Sequence, residues 1–152
     1  MHPSCQTLAV MNEAERWAYL ESLDQELLLT CVVLSEWCSF IFRESDIAYA
    51  HSANLAAILT AVSGAETFLR SKFADSKRER LTELIDKALI RRDIKADLHT
   101  LRRYRNRWVH VESPWTDEAL LDSPGPVEQE LEDMATFAVR VLRRLIYEDQ
   151  WV

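Results

Sequence analysis

"DIKADLHTLRRYRNRWVH", residues 93–110, decides the fold. At about 100° of rotation per residue, Ile94, Leu98, Leu101, Tyr104 and Trp108 share one stripe, so the segment reads as a helix with one buried face. His99, Arg103, Asn106 and His110 fall on the opposite face, spaced four, three and four apart. Asp93 can cap the start, and Pro114 requires the helix to end near Glu112–Ser113.

The same periodicity extends outward. Asn12 with Glu15 matches a capping box, which predicts a helix starting near residue 13 after an N-terminal arm, residues 1–11. The pattern blurs at Ser22–Asp24. Residues 25–42 then carry a broad apolar face (Leu27, Leu28, Cys31, Leu34, Trp37, Cys38, Ile41) and read as a second helix. A longer one is predicted from Asp46 to Phe73, with Leu55, Ile58, Leu59, Val62, Leu69 and Phe73 in line. Ser76 with Glu79 is a second capping box, opening a helix whose inner residues are Leu81, Leu84, Ile85, Ala88 and Leu89. Residues 113–125 form a loop with one helical turn at Asp117–Leu121. Pro126 opens a final helix to Asp149, with Leu131, Met134, Phe137, Val141, Leu142 and Leu145 inward.

Composition agrees. The chain has 152 residues but only 2 Gly and 4 Pro, too few turn-formers for a many-stranded sheet. The expectation is a single all-α domain over residues 1–152, an up-and-down bundle of about five helices. The longest apolar runs, LLLTCVVL and LAAILTAV, fall short of the roughly 20 residues that span a bilayer. No secretory leader pattern opens the chain. Cys5, Cys31 and Cys38 make no even disulfide framework, and Cys31 and Cys38 would stand about 10 Å apart on one helix. They read as small core residues in a reducing compartment, which places the protein in the cytoplasm and away from membranes.

The charge is segregated. Net charge is −7, yet residues 70–107 hold 13 of the 18 basic residues against 6 acidic ones. Such a basic segment in an acidic chain points to a local anion site, because phosphate responds to charge within a Debye length. Arg105 is the exception on its helix. It lies about 40° from Leu101, on the shoulder of the apolar stripe, and about 140° from His110. A buried arginine needs a partner, and Glu66, between Val62 and Leu69 on the preceding long helix, is the best placed. Two readings of Arg105 stand side by side: an ion pair with Glu66 that locks two helices, or a functional arginine.

Arg105-Asn106 followed by His110 resembles the R-x4-6-H signature of the HEPN superfamily of small helical bundles, in the form where a polar residue follows the Arg. The resemblance covers the architecture of residues 46–150 and six residues of motif. It implies a metal-independent endoribonuclease, with no cofactor and no metal, whose Arg and His line a cleft between two copies in a homodimer. An Arg and a His splayed on one helix can meet across a two-fold axis. The partners it implies are RNA, with tRNA as one candidate substrate, a second copy of the chain and a regulatory protein; the setting would be a bacterial toxin or phage defence. His110 would be the general acid and base, since imidazole titrates near neutrality. Arg105 would steady the scissile phosphate and Asn106 would hydrogen-bond it. Arg102, Arg103 and Arg107 would contact neighbouring phosphates. The alternative within the same resemblance is a non-catalytic module that binds RNA, a nucleotide or a protein partner. One position departs from the pattern. Some toxin members carry a Tyr two residues after the His that a partner enzyme modifies, and here that residue is Glu112.

Other chemistries lack their residues. His110-Val111-Glu112 has the H-x-E of zinc deaminases but no downstream P-C-x-x-C. H-E-x-x-H is absent, and His2, His51 and His99 have no ligand spacing with any Cys. Glycine occurs only at 64 and 125, which leaves no phosphate loop. His51 and His99 read as surface or cap residues.

Overall fold

The computed structural model of the protein describes residues 10–150, and within them every regular element is a helix. They are α1 (Glu13–Leu27), α2 (Glu36–Ala50), α3 (Asn54–Phe73), α4 (Leu81–Lys87), α5 (Arg92–Val109), α6 (Ala119–Asp122) and α7 (Pro124–Ile146). The all-α bundle expected from the sequence is the architecture observed. Helix α3 is central: it packs against α2, α7, α5 and α4, while α1 closes over α2 and α7. None of the helices is long and apolar enough to cross a membrane. The expected arm at residues 1–11 falls mostly, with Cys5, outside the described residues.

Several helix boundaries differ from the sequence expectation. The predicted helix at 25–42 is not one helix: residues 28–35 are a loop. Thr30, Val32 and Val33 are β-branched and lose side-chain freedom in a helix. Gln150 fixes this loop, accepting the Leu29 and Thr30 N–H groups at 2.8 and 3.0 Å and donating to the Leu27 carbonyl at 2.7 Å. The Ser35 hydroxyl then caps α2 by accepting from the Cys38 N–H. As a result Cys31 is exposed in the loop and only Cys38 is buried, so the two are neither on one helix nor both in the core. Trp37, expected inside, is 75% exposed.

The predicted helix from 46 to 73 breaks at residues 51–53. Ser52 adopts a left-handed φ of 61°, and Ala53 N–H reaches back to the Ala48 carbonyl at 2.9 Å. This break lets α2 and α3 fold against each other as antiparallel neighbours. Gly64 is where they meet α7: a Cβ there would stand 3.4 Å from Ile41 and 3.5 Å from Leu142. Ser76 and Glu79 do not open a helix. The Glu79 carboxylate closes a turn by accepting the Asp75 and Ser76 N–H groups, and Glu83 accepts from the Arg80 N–H to start α4 at Leu81. Because α4 stops at Lys87, Leu89 leaves the inner stripe and is 89% exposed. Helix α7 starts at Pro124 rather than Pro126 and ends at Ile146, with Val141, Leu142 and Leu145 buried and Leu131, Met134 and Phe137 half-buried against the core.

Two buried arginines tie the bundle together. Arg16 of α1 donates to the Tyr49 carbonyl at 2.9 Å, to Asn54 Oδ1 at 2.8 Å and to Glu132 at 3.0 Å, joining four helices. Arg143 of α7 donates Nε to Asp24 at 2.9 Å and both terminal nitrogens to Asp46 at 2.8 Å, with its guanidinium over the Phe42 ring. Both sit on otherwise apolar faces. Their cost of desolvation is offset by forked, charge-assisted hydrogen bonds.

Candidate functional site

Helix α5 carries the candidate residues, and its stripe lies as the sequence places it: Ile94, Leu98, Leu101 and Tyr104 are buried, and Trp108 packs against the core. Ion pairs fix its start. Arg144 of α7 donates to Asp93 and, at 2.6 Å, to Asp97, while Glu148 accepts the Arg91 N–H at 2.9 Å. Asp86 accepts at 2.7 Å from both the His99 ring and, through its carbonyl, Lys95, tying α4 to α5.

The helix ends at Val109, three residues before the expected stop at Glu112, and His110 is its C-cap. The His110 N–H still bonds the Asn106 carbonyl at 3.0 Å, but its φ of −128° and ψ of 65° turn the chain out of the helix. The imidazole therefore points where the cap directs it rather than where a helical wheel would. It is exposed and lines an open groove of about 600 Å³ between the end of α5, the 111–118 loop, α6 and the first turn of α7. Arg107 and Trp108 line the same groove; Arg105 and Asn106 do not.

Arg105 is half-buried. Its Nε is enclosed without a hydrogen-bond partner, and it pairs with no described carboxylate. The ion pair with Glu66 that the sequence offered is not formed. Glu66 instead accepts from Arg70, one turn along its own helix, at 2.7 and 3.1 Å. An i,i+4 partner is always within reach, whereas a cross-helix one must be brought there by packing. Arg70 in turn donates to the Glu79 carbonyl at 2.8 Å, so Glu66 supports the turn before α4 and not the motif.

The flanking arginines separate into different situations. Arg103 is exposed, with only the Thr100 hydroxyl near it at 3.5 Å. Arg102 is half-buried with an enclosed, unpartnered Nε. Arg107 is engaged: it donates to Glu130 of α7 at 2.8 Å and lies over the Tyr104 ring. Its charge is already matched by an acid, which weakens it as a phosphate contact. Burial beneath this layer pushes the Tyr104 hydroxyl above its ordinary value. That hydroxyl and the Trp108 indole N–H are also enclosed without partners among the described residues.

Seven of the fourteen arginines are held by described carboxylates. Arg105 is among the other seven, and the side chains of Arg105, Asn106 and His110 hydrogen-bond no described residue. A cationic fork, an amide and an imidazole thus stand uncommitted within the last turn and a half of one helix. Within one subunit, however, the Arg and the His do not converge on one cavity. No group of three or more potential metal-ligating side chains forms among the described residues.

The sequence reading missed the groove and both buried arginines. Arg143 carried the same signal as Arg105, a cation among Val139, Leu142 and Ile146, and Asp46 carried its complement. The groove could not be read, because it depends on where α5 stops and how the loop returns. Compared with protein-family models, curated proteins and solved structures, the chain matches none.

Proposed function

We propose that this chain is a metal-independent endoribonuclease of the HEPN type, working as a homodimer through Arg105, Asn106 and His110. The observation that carries the reading is that a guanidinium, an amide and an imidazole, those of the three motif residues, stand free together at the end of one helix. Cleavage needs a base for the 2′-hydroxyl proton, an acid for the leaving 5′-oxygen and a cation for the phosphorane. Attack of the 2′-oxygen on phosphorus expels the 5′-oxygen and leaves a 2′,3′-cyclic phosphate and a 5′-hydroxyl. His110 moves the protons, Arg105 stabilises the phosphoryl charge and Asn106 hydrogen-bonds a phosphate oxygen. Arg103 and Arg102 flank them as phosphate contacts.

The divergence of Arg105 and His110 within one chain makes the second copy necessary. Around His110 the apolar side chains Val109, Val111 and Trp115 are exposed, Trp115 by 95%, and a second subunit would cover such a surface. In that arrangement, Arg105 of one copy meets the groove of the other. The same divergence favours a second reading, a non-catalytic module that binds RNA, a nucleotide or a protein. A toxin or phage-defence setting, a cytoplasmic location and a regulatory protein partner belong to the proposal through the family resemblance alone.

The test pairs activity with assembly. Wild type, Arg105→Ala and His110→Ala are incubated with tRNA and total RNA in EDTA, and each is sized by sedimentation. A dimeric wild type that cleaves, with both variants dimeric and inactive, supports the proposal. RNA binding without cleavage supports the second reading, and a wild-type monomer that cleaves would contradict the composite site.

A further inference from the structure

The groove beside His110 has a chemistry of its own. Trp108, Leu120 and Val127 supply its apolar lining, and Glu112 and Asp117 bring carboxylates to it. At about 600 Å³ it lies in the size range of small-ligand sites. The acidic groups have different commitments. Asp117 Oδ1 accepts the Ala119 N–H at 3.1 Å, whereas the exposed Glu112 carboxylate is bound by no described donor. No Lys or Arg occurs from Glu112 to Asp133, so the Glu112–Asp117 side of the groove repels phosphate and leaves the His110 side for it. Arg107, the cation at its edge, is neutralised by Glu130.

A groove with an apolar wall and an uncommitted carboxylate, Glu112, beside it suits a nucleobase that donates hydrogen bonds. A carboxylate has no donor of its own. Guanine alone among the four RNA bases presents two adjacent donors on its pairing edge, N1–H and the exocyclic N2–H₂. Adenine and cytosine place a ring acceptor beside their amino group, and uracil flanks its single N–H with carbonyl oxygens; each would set an acceptor against the carboxylate.

We infer that this groove is a base-recognition subsite for guanine, with Glu112 accepting from N1–H and N2–H₂. This rests on the ribonuclease reading above and names the specificity of that same site. His110 lines the same groove as Glu112, so a guanine held there places its own phosphate on the His110 side. The acidic run after α5, unexplained as an RNA-facing surface, then serves to read a base and to keep the backbone on the basic face.

Binding of mononucleotides, which have no internucleotide bond to cleave, tests the subsite apart from catalysis. Wild-type protein is titrated with 3′-GMP, 3′-AMP, 3′-CMP and 3′-UMP while the indole N–H resonances are followed, with that of Trp108 assigned from its loss in Trp108→Phe. The expected result is a Trp108 shift with 3′-GMP, about tenfold tighter binding than for the other three, and loss of that preference in Glu112→Gln. Equal binding of all four, no perturbation of Trp108 by any, or a guanine preference that survives Glu112→Gln would overturn the inference. Guanine selectivity in a protein that cuts no RNA would keep the subsite and remove the nuclease; cleavage by a protein without that selectivity would do the reverse.

Discussion

Arg143 of α7 grips Asp46 of α2 with both terminal nitrogens, each 2.8 Å from a different carboxylate oxygen. The guanidinium is 1% exposed, and Asp24 of α1 takes its remaining Nε–H. Burial alone would lower the pKa of such an arginine, but the two carboxylates hold it above its ordinary value. Three helices that share little contiguous sequence are thereby fixed in register.

This lock sets the first prediction. Asp46→Asn leaves the buried Arg143 with Asp24 as its one carboxylate, Arg143→Met leaves Asp46 buried without its cation, and each should cost up to about 3–5 kcal/mol. For a chain of this length that lowers the melting temperature by roughly 6–20 °C. Arg143→Lys should rescue little, because an ammonium cannot fork onto two oxygens. Thermal unfolding followed by circular dichroism checks it; a change of only a degree or two in Asp46→Asn would show that the pair contributes no net stability.

Tyr147 gives a pH dependence. Burial, and then donation of its hydroxyl to Asp24 at 2.7 Å, raise its pKa well above the ordinary tyrosine value. A raised folded-state value means that the contribution is complete below about pH 10 and is lost as pH rises beyond it, by about 1.4 kcal/mol per unit for one group. Tyr49 and Tyr104 shift in the same direction through burial. Tyr147→Phe should therefore lose about 1 kcal/mol at neutral pH for the missing hydrogen bond and decline less steeply above pH 10. Denaturant midpoints from pH 8 to 11 measure the two slopes, and parallel slopes would refute the assignment.

Glu66 separates a local pair from a cross-helix lock. Its bond to Arg70 joins side chains that are 28% and 34% exposed, so Glu66→Gln should cost less than about 1 kcal/mol. A loss of several kcal/mol by chemical denaturation would mean that Glu66 balances a buried charge after all, and would return Arg105 to a structural role.

What could be read from the sequence is what depends on neighbours along the chain. The α5 stripe from Ile94 to Trp108 needs only the helical period. The Asn12–Glu15 capping box forms as its spacing requires, with Glu15 N–H on Asn12 Oδ1 at 2.9 Å and the reverse bond at 3.2 Å. What escaped depends on tertiary partners. The loop at 28–35 is held by Gln150 from the far end of the chain, and the break at Ser52 accompanies the antiparallel packing of α2 on α3. The Glu66 carboxylate was matched on paper with Arg105, but Arg70, one turn along its own helix, took it. At the site, the motif residues were legible by type and spacing. The end of α5 at Val109 was not, and with it went the position of His110 and the groove.

The central claim is that His110 performs acid–base chemistry on RNA without a metal. The most direct measurement incubates the wild type and His110→Ala, matched by circular dichroism, with tRNA in EDTA, and determines the chemistry of the new ends. The account predicts cleavage by the wild type alone, with 2′,3′-cyclic phosphate and 5′-hydroxyl ends and a rate lower by at least about 100-fold in the variant. Intact RNA with both proteins, or equal cleavage by both, would contradict it.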